Sequence, residues 1–354
     1  MSSIAVCDVF VDERTLALGA PFLSELDSGL YFDTSTVANY GSLARAVTED
    51  GESRIQAVDG KRHTADFAIW RKTPPGESRQ MEWDSPWGKG APGWHLECSV
   101  MSEALLGLPF DIHTGGIDHR EIHHPNEIAQ NQAFTSCDHS GARIWMHNNF
   151  LIDRRGKMSK SSGEFLRLQT LIDKGFHPLA YRMMCLQAHY RSEMEFTWEG
   201  LAAALTRLKR LVLAMEKLNA IVIGVIPELE DVHSVVVEQF ADALSDDLNT
   251  ARGLGILEAN VNGNHFPATN YANVRDMDAV LGMSLSTLTR ADLRIRPGSV
   301  TITEPEIEAR LDERKAARAA KDFAISDRIR DDLIAAGVEV MDGDPLGWDW
   351  KLDI

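Results

Sequence analysis

FDIHTGGIDHREIHHPNE, residues 110–127, reads as a short strand that runs into a glycine turn and leaves it toward a helix. The helix continues as NEIAQNQAF, residues 126–134. Upstream, WHLECSVMSEALLG (94–107) has a helical pattern closed by Gly107. Downstream, RIWMHNNFLI (143–152) is a strand region, and RRGKMSKSSGEF (154–165) is a basic loop punctuated by glycine. Further upstream, TPPGESRQMEWDSPWGKGAPG (73–93) is dense in proline and glycine and reads as a long loop and a boundary. Before it, LYFDT (30–34) alternates as a strand, and the stretch preceding that strand reads as a weak helix.

After Phe165 the pattern is helical. Leu201, Leu205, Leu208, Leu211, Val212 and Met215 fall on one helix face, and Val232, Val235, Val236, Phe240 and Leu244 repeat the spacing. Residues 262–270 are turn-rich, one helical pattern covers about 305–336 up to Gly337, and VEVMDGDPLGWDWKL is a small strand-and-turn tail. Strand, glycine turn and helix followed by helices alone imply an α/β layer joined to a helical bundle, a combined α/β plus all-α fold class.

Composition narrows the function. A chain of 354 residues accommodates two or three domains. Its 44% hydrophobic and 25% charged residues are ordinary for a globular protein. No apolar run is long enough for a bilayer, and MSSIAVCDVFVDERT lacks the pattern of a secretory signal, so no membrane partner is expected. Cys7, Cys98, Cys137 and Cys185 stand at irregular spacings, which points to a reducing cytoplasm rather than a disulfide framework. A net charge of −17 argues against general nucleic-acid binding but leaves room for one folded RNA held by local basic patches. Arg207, Lys209 and Arg210, and Arg314, Lys315 and Arg318, are the clusters available. Ordinary solvated helix faces are the competing reading of such runs.

Three constellations carry chemistry. Cys98, His123 and Glu127 supply a thiolate, an imidazole and a carboxylate, all zinc ligands, and the last two share a helix face at a spacing of four. A buried cysteine beside a surface histidine is the competing reading, and spacing alone favours it. Gly115 and Gly116 let a backbone approach a ligand, and Asp118 beyond them suits a ribose hydroxyl, or the three form a tight turn with a solvated carboxylate. Lys157 and Lys160, on a loop flanked by glycine and serine, are able to move onto a polyphosphate, or belong to a basic surface loop.

The string KMSKS at 157–161 is highly specific, and with it the resemblance becomes plain. PGWHLECSVM, FDIHTGGIDHREIHHPNEIAQ, WMHNNFLIDRRGKMSKSSGEF and HYRSEMEFTWEGL, in this order and spacing, resemble the cysteinyl-tRNA synthetases, a class I family. DFAIWRKTPP, SPWGKGAPGWH, DDLNTARGL, AARAAKDFAISDRIRDDL and the closing GWDW extend the likeness over nearly the whole chain. The resemblance implies a class I nucleotide-binding (Rossmann-like) domain followed by a helical bundle, with ATP (with magnesium), cysteine and cysteine tRNA as substrates. It implies a zinc ion on Cys98, His123 and Glu127 that binds the substrate thiolate. Trp94, His95 and His113 then line the amino-acid pocket. Gly115, Gly116 and Asp118 meet adenosine, and Lys157 and Lys160 contact ATP.

The family opens on a strand bearing a fourth zinc-ligand cysteine and then a HIGH-type turn. Neither feature occurs here, since Cys7 in AVCDVF is followed by no H-x-G-H. The expected catalytic domain is therefore incomplete. A segment from 1 to 90 is read as a remnant of the insertion, and 91–165 as the C-terminal half of the nucleotide fold with the zinc site and KMSKS loop. Residues 166–198 form a stem-contact junction, 199–290 a helical bundle, and 291–354 a tRNA-contacting region. The missing front implies a split enzyme with a separate N-terminal fragment, an incomplete gene, or a non-catalytic paralogue that binds zinc or tRNA. A related ligase that joins cysteine to an amino sugar is disfavoured by the full helical bundle and tail.

Overall fold

The computed structural model describes residues 22–44, 60–136, 141–153, 156–157, 167–222, 234–263 and 266–354. The chain separates into two compact units, 1–149 and 150–354, a division that falls inside the segment read from sequence as 91–165.

The first unit begins with strands β1 (Leu23–Leu26) and β2 (Gly29–Phe32), an antiparallel hairpin. The weak helix expected before LYFDT is thus a strand over Leu23–Leu26. A four-residue run carries too little periodicity to separate the two, and pairing with β2 decides. Gly29 sits at φ +151°, and a side chain there would strike the Trp70 carbonyl at 2.0 Å. Strands β3 (Phe67–Lys72) and β4 (Gly90–Pro92) complete a four-stranded antiparallel sheet. The proline- and glycine-rich stretch is therefore tied back at its end, and Trp83 also bridges to Gly90. Helix α1 (Trp94–Leu106) ends at Gly107, φ +75°. Strand β5 (Phe110–Gly116), helix α2 (His123–Thr135) and strand β6 (Ala142–Asn148) form a parallel β–α–β unit in the register Phe110↔Ala142 to Gly116↔Asn148. Leu30, Phe32, Phe67 and Ile69 of the antiparallel sheet share one core with Leu96 and Val100 of α1 and Ala129 and Ala133 of α2. That core holds the two site-bearing helices together. Ile112 and Ile144, opposite each other on β5 and β6, are both 53% exposed, although parallel strands ordinarily bury both faces.

In the second unit, β7 (Leu151–Asp153) pairs antiparallel with β8 (Gly156–Lys157) and parallel with β9 (Met194–Glu195). Helices α3 (Leu168–Asp173) and α4 (Pro178–Leu186) lead into the long α5 (Trp198–Val222). Leu201, Leu205, Leu208, Leu211, Val212 and Met215 are all buried along α5. Helices α6 (Val235–Ser245), α7 (Thr250–Val261) and α8 (Pro267–Leu281) pack around it through Phe240, Leu254, Leu257 and Met277. On α6 the expected apolar face is only partly inward: Phe240 is buried, Val235 is 66% exposed, and Val232 lies outside the described residues.

The single helical pattern at 305–336 is two helices, α9 (Glu304–Ala319) and α10 (Phe323–Ala335). Lys321 turns the chain at φ +61°, and the Asp322 carboxylate accepts the Ile325 amide to start α10. Strands β10 (Val338–Val340) and β11 (Trp348–Trp350) pair antiparallel and close the chain. Trp348 and Trp350 are buried with Ile307, Ile329, Leu333 and Val338 in a separate small core.

Candidate metal and substrate centre

The first unit concentrates histidine. Helix α1 presents Trp94, His95 and Cys98 from its first turn and a half, and β5 presents His113. The turn after Gly116 carries His119, α2 begins with His123 and His124, and β6 supplies His147. A spacing of four brings His123 and Glu127 together on α2, where Glu127 is 1% exposed.

Glu127 is the hub. Its Oε2 lies 2.7 Å from Nε2 of His113, and its Oε1 lies 2.5 Å from Nε2 of His123. Despite that short separation, Oε1 is buried without a donor in hydrogen-bonding geometry. The ligand atoms of Cys98, His123 and Glu127 all lie within 4.8 Å of one another, as do those of His113, His124 and Glu127. A buried carboxylate oxygen facing a thiol and an imidazole suits a cation, and S, N and O donors in one cluster fit zinc. From spacing alone, ligands scattered over thirty residues were open to either reading; the fold brings them within reach of one ion.

Electrostatics agree with this donor set. Burial drives His95 down to about 4 and His124 down to about 3, so both imidazoles are neutral and keep a lone pair. Burial opposes ionisation of Glu127, but the close His113 and His123 imidazoles outweigh it and lower the carboxyl to about 2. Burial, followed by the Glu127 charge, pushes the Cys98 thiol up to about 12. A bound dication reverses that balance, because a coordinating thiol is deprotonated by the metal itself.

Trp94 is 57% exposed, and its ring stands 4.3 Å from that of His123. His95 faces His123 through Nδ1 atoms 2.7 Å apart and meets Phe67 edge-on. Trp94, His95 and His113 thus all border the candidate cation position. Gly115 has its own reason: a β-carbon there would lie 2.7 Å from both His119 Nδ1 and His124 Cε1. At Gly116 the same atom would lie 2.5 Å from Asp118 Oδ1, so the exposed Asp118 folds back over the turn. Lys157 ends β8, while Lys160 lies outside the described residues. His119, His124 and His147 were not singled out from sequence. The signal available was their density, with His119, His123 and His124 inside six residues.

A parallel β–α–β unit with a glycine turn at the strand end, joined in sequence to a helical region, has its counterpart among known proteins. Residues 11–206 match the catalytic domain of the class I (C) tRNA synthetases. A cysteine–tRNA ligase of Novosphingobium aromaticivorans is 67% identical over 342 residues, which cover 95% of this chain and 69% of the relative. The cysteine–tRNA ligase of Zymomonas mobilis is 50% identical over 94% of this chain and 71% of its own length. Cysteine–tRNA ligase 1 of Burkholderia lata is 47% identical, covering 91% and 65% respectively. The chain belongs to the cysteine–tRNA ligase family.

Proposed function

We propose that the chain supplies the zinc-bearing half of the catalytic domain and the tRNA-binding helices of a cysteine–tRNA ligase. The reaction would join cysteine to ATP as an adenylate and pass it to the terminal ribose of cysteine tRNA. The observation that carries this reading is the convergence of Cys98, His123 and Glu127 beneath Trp94, at the end of a strand–glycine–helix unit. These three side chains would hold the zinc ion, which when bound favours a substrate thiolate over a neutral hydroxyl and so separates cysteine from serine. Discrimination by a group only the right substrate can satisfy reaches about 10⁴ without editing. Trp94, His95 and His113 shape the amino-acid pocket. The Gly115–Gly116 turn admits adenosine with Asp118 toward the ribose, and Lys157 and Lys160 meet the polyphosphate.

The domain roles follow the sequence reading. Residues 1–90 belong to the insertion, 91–165 to an incomplete Rossmann-like domain, 166–198 to the stem junction, and 199–354 to the bundle and terminal tRNA region. A reducing, cytoplasmic setting accords with the irregular cysteines, and among the described residues no helix is long and apolar enough to cross a membrane. The 354 residues contain no H-x-G-H string, and the donors at the reacting phosphate are assigned to no residue among them. The exposed Ile112 and Ile144 face of β5 and β6 is an apolar surface that a further segment would cover. A non-catalytic paralogue is disfavoured by the 67% identity to a named ligase.

Cysteine-dependent ATP–pyrophosphate exchange tests the proposal. Loss of one preorganised donor costs about 10²–10³ in rate. The chain alone should therefore show no exchange, and a co-expressed strand–HIGH segment should restore it. Normal exchange by the chain alone, or none with the segment, would contradict this division of labour. Metal analysis tests the ligand assignment separately, since Cys98→Ala should lose its thiol-bound zinc.

A further inference from the structure

We propose a second divalent-cation position in the first unit, held by His113, His124 and Oε2 of Glu127, beside the Cys98–His123–Glu127 position and sharing its carboxylate. It goes beyond the zinc site of the proposed function, which uses neither imidazole.

The two oxygens of Glu127 point to different partners. Oε1 is 2.5 Å from His123, and Oε2 is 2.7 Å from His113. A carboxylate with its two oxygens turned to different imidazoles is able to bridge two ions, as carboxylates do in paired-metal sites. His113, His124 and Glu127 bring their ligand atoms within 4.8 Å of one another, the same closeness as the thiolate-containing set. His124 and Glu127 are each 1% exposed, so both are committed to the interior.

The surroundings are built to hold the His124 ring. His147 Nε2 lies 2.8 Å from His124 Nδ1. In the tautomer that donates Nδ1–H to His147, the Nε2 lone pair of His124 is left for a cation, the usual outer support of a metal-bound imidazole. Trp145 closes the side, with its ring 4.8 Å from that of His113 and 4.7 Å from that of His124. Gly115 leaves the space, since a β-carbon there would lie 2.8 Å from His124 Nε2.

Two imidazoles and a carboxylate select a first-row divalent ion such as Zn²⁺ or Co²⁺ over Mg²⁺ or Ca²⁺, which take oxygen ligands. Two dications sharing a single carboxylate repel each other, so the second binds more weakly than the first. The thiolate belongs only to the first position.

Titration of the metal-free chain with Co²⁺ separates the two positions, because only the first gives a thiolate-to-cobalt absorption band. The expected result is two equivalents, the first with the band and the second without it. Cys98→Ser should abolish the band and keep one equivalent. His124→Asn should keep the band and lose the second equivalent. His113→Asn reads the same loss should His124→Asn fail to fold, as judged by circular dichroism. Saturation of the wild-type chain at one equivalent that carries the thiolate band overturns the proposal, as does a second equivalent that survives both histidine variants. Absence of the thiolate band with a nitrogen- and oxygen-bound equivalent retained would instead remove the Cys98 assignment and leave this position standing.

Discussion

Gly115 shows how one residue holds a site together. It needs no unusual backbone angle; it is glycine because His119 and His124 occupy the space a side chain would take. Gly115→Ala forces a methyl group against imidazole rings packed among His113, His123 and Trp145. Overpacking of this kind costs about 1–3 kcal/mol, and urea unfolding should register it. Stability unchanged within error would mean that the rings move freely. Among the described residues, the adjacent Gly116 position meets the far end of one exposed side chain, Asp118, rather than two packed rings, so Gly116→Ala should cost less.

At the scale of elements, the turn between α9 and α10 is the informative break. The sequence from 305 to 336 has no glycine or proline after Pro305, so periodicity joins the two helices into one. Lys321 instead takes a left-handed angle of +61°, and the Lys321 and Asp322 amides donate to the Arg318 and Ala317 carbonyls. A non-glycine residue in that conformation costs roughly 1 kcal/mol. Lys321→Gly should therefore raise stability by about 0.5–1 kcal/mol in a denaturant titration. A loss of stability would show that the lysine side chain supplies something beyond the turn.

Across the second unit, charge and aromatic residues serve the fold more than their sequence positions imply. Arg207 pairs with Glu258 at 2.5 Å, Lys209 with Asp349, and Arg314 and Arg318 with Asp342 at 2.8 and 3.2 Å. Of the two basic clusters read from sequence, Arg210, Lys315 and Arg318 are exposed, but Arg318, like Arg207, Lys209 and Arg314, is paired with a carboxylate of the same unit. The patches are thus partly neutralised. Asp342→Ala frees two arginines, and on the proposed tRNA role it should strengthen cysteine-tRNA binding at low salt, with the gain fading at moderate salt. A gel-shift titration at two salt concentrations would show this, and no gain at low salt would place that face away from the RNA. Trp348 and Trp350 stand in the segment read from sequence as tRNA-contacting, where exposed aromatic rings would suit unstacked bases. Both are in fact core residues, 0% and 3% exposed, with Arg294 stacked 3.7 Å over the Trp348 ring. Trp348→Ala should accordingly cost about 3–5 kcal/mol in thermal or chemical unfolding. A stable variant with selectively weakened tRNA binding would restore the recognition reading.

Sequence alone determined the family, the strand–glycine–helix unit at 110–135, the buried stripe of α5, and the placement of His123 and Glu127 on one helix face. Each is local: a motif string, a period of 3.6, or a spacing of four. The tertiary structure decided the rest. It made Leu23–Leu26 a strand through pairing with β2, and it split the last helix at Lys321. It buried the two tryptophans and brought His113 and His124 to Glu127, with His147 behind His124. These outcomes depend on partners far apart along the chain. Cross-strand pairing, burial and ligand convergence are properties of neighbours in space, which a one-dimensional pattern does not carry.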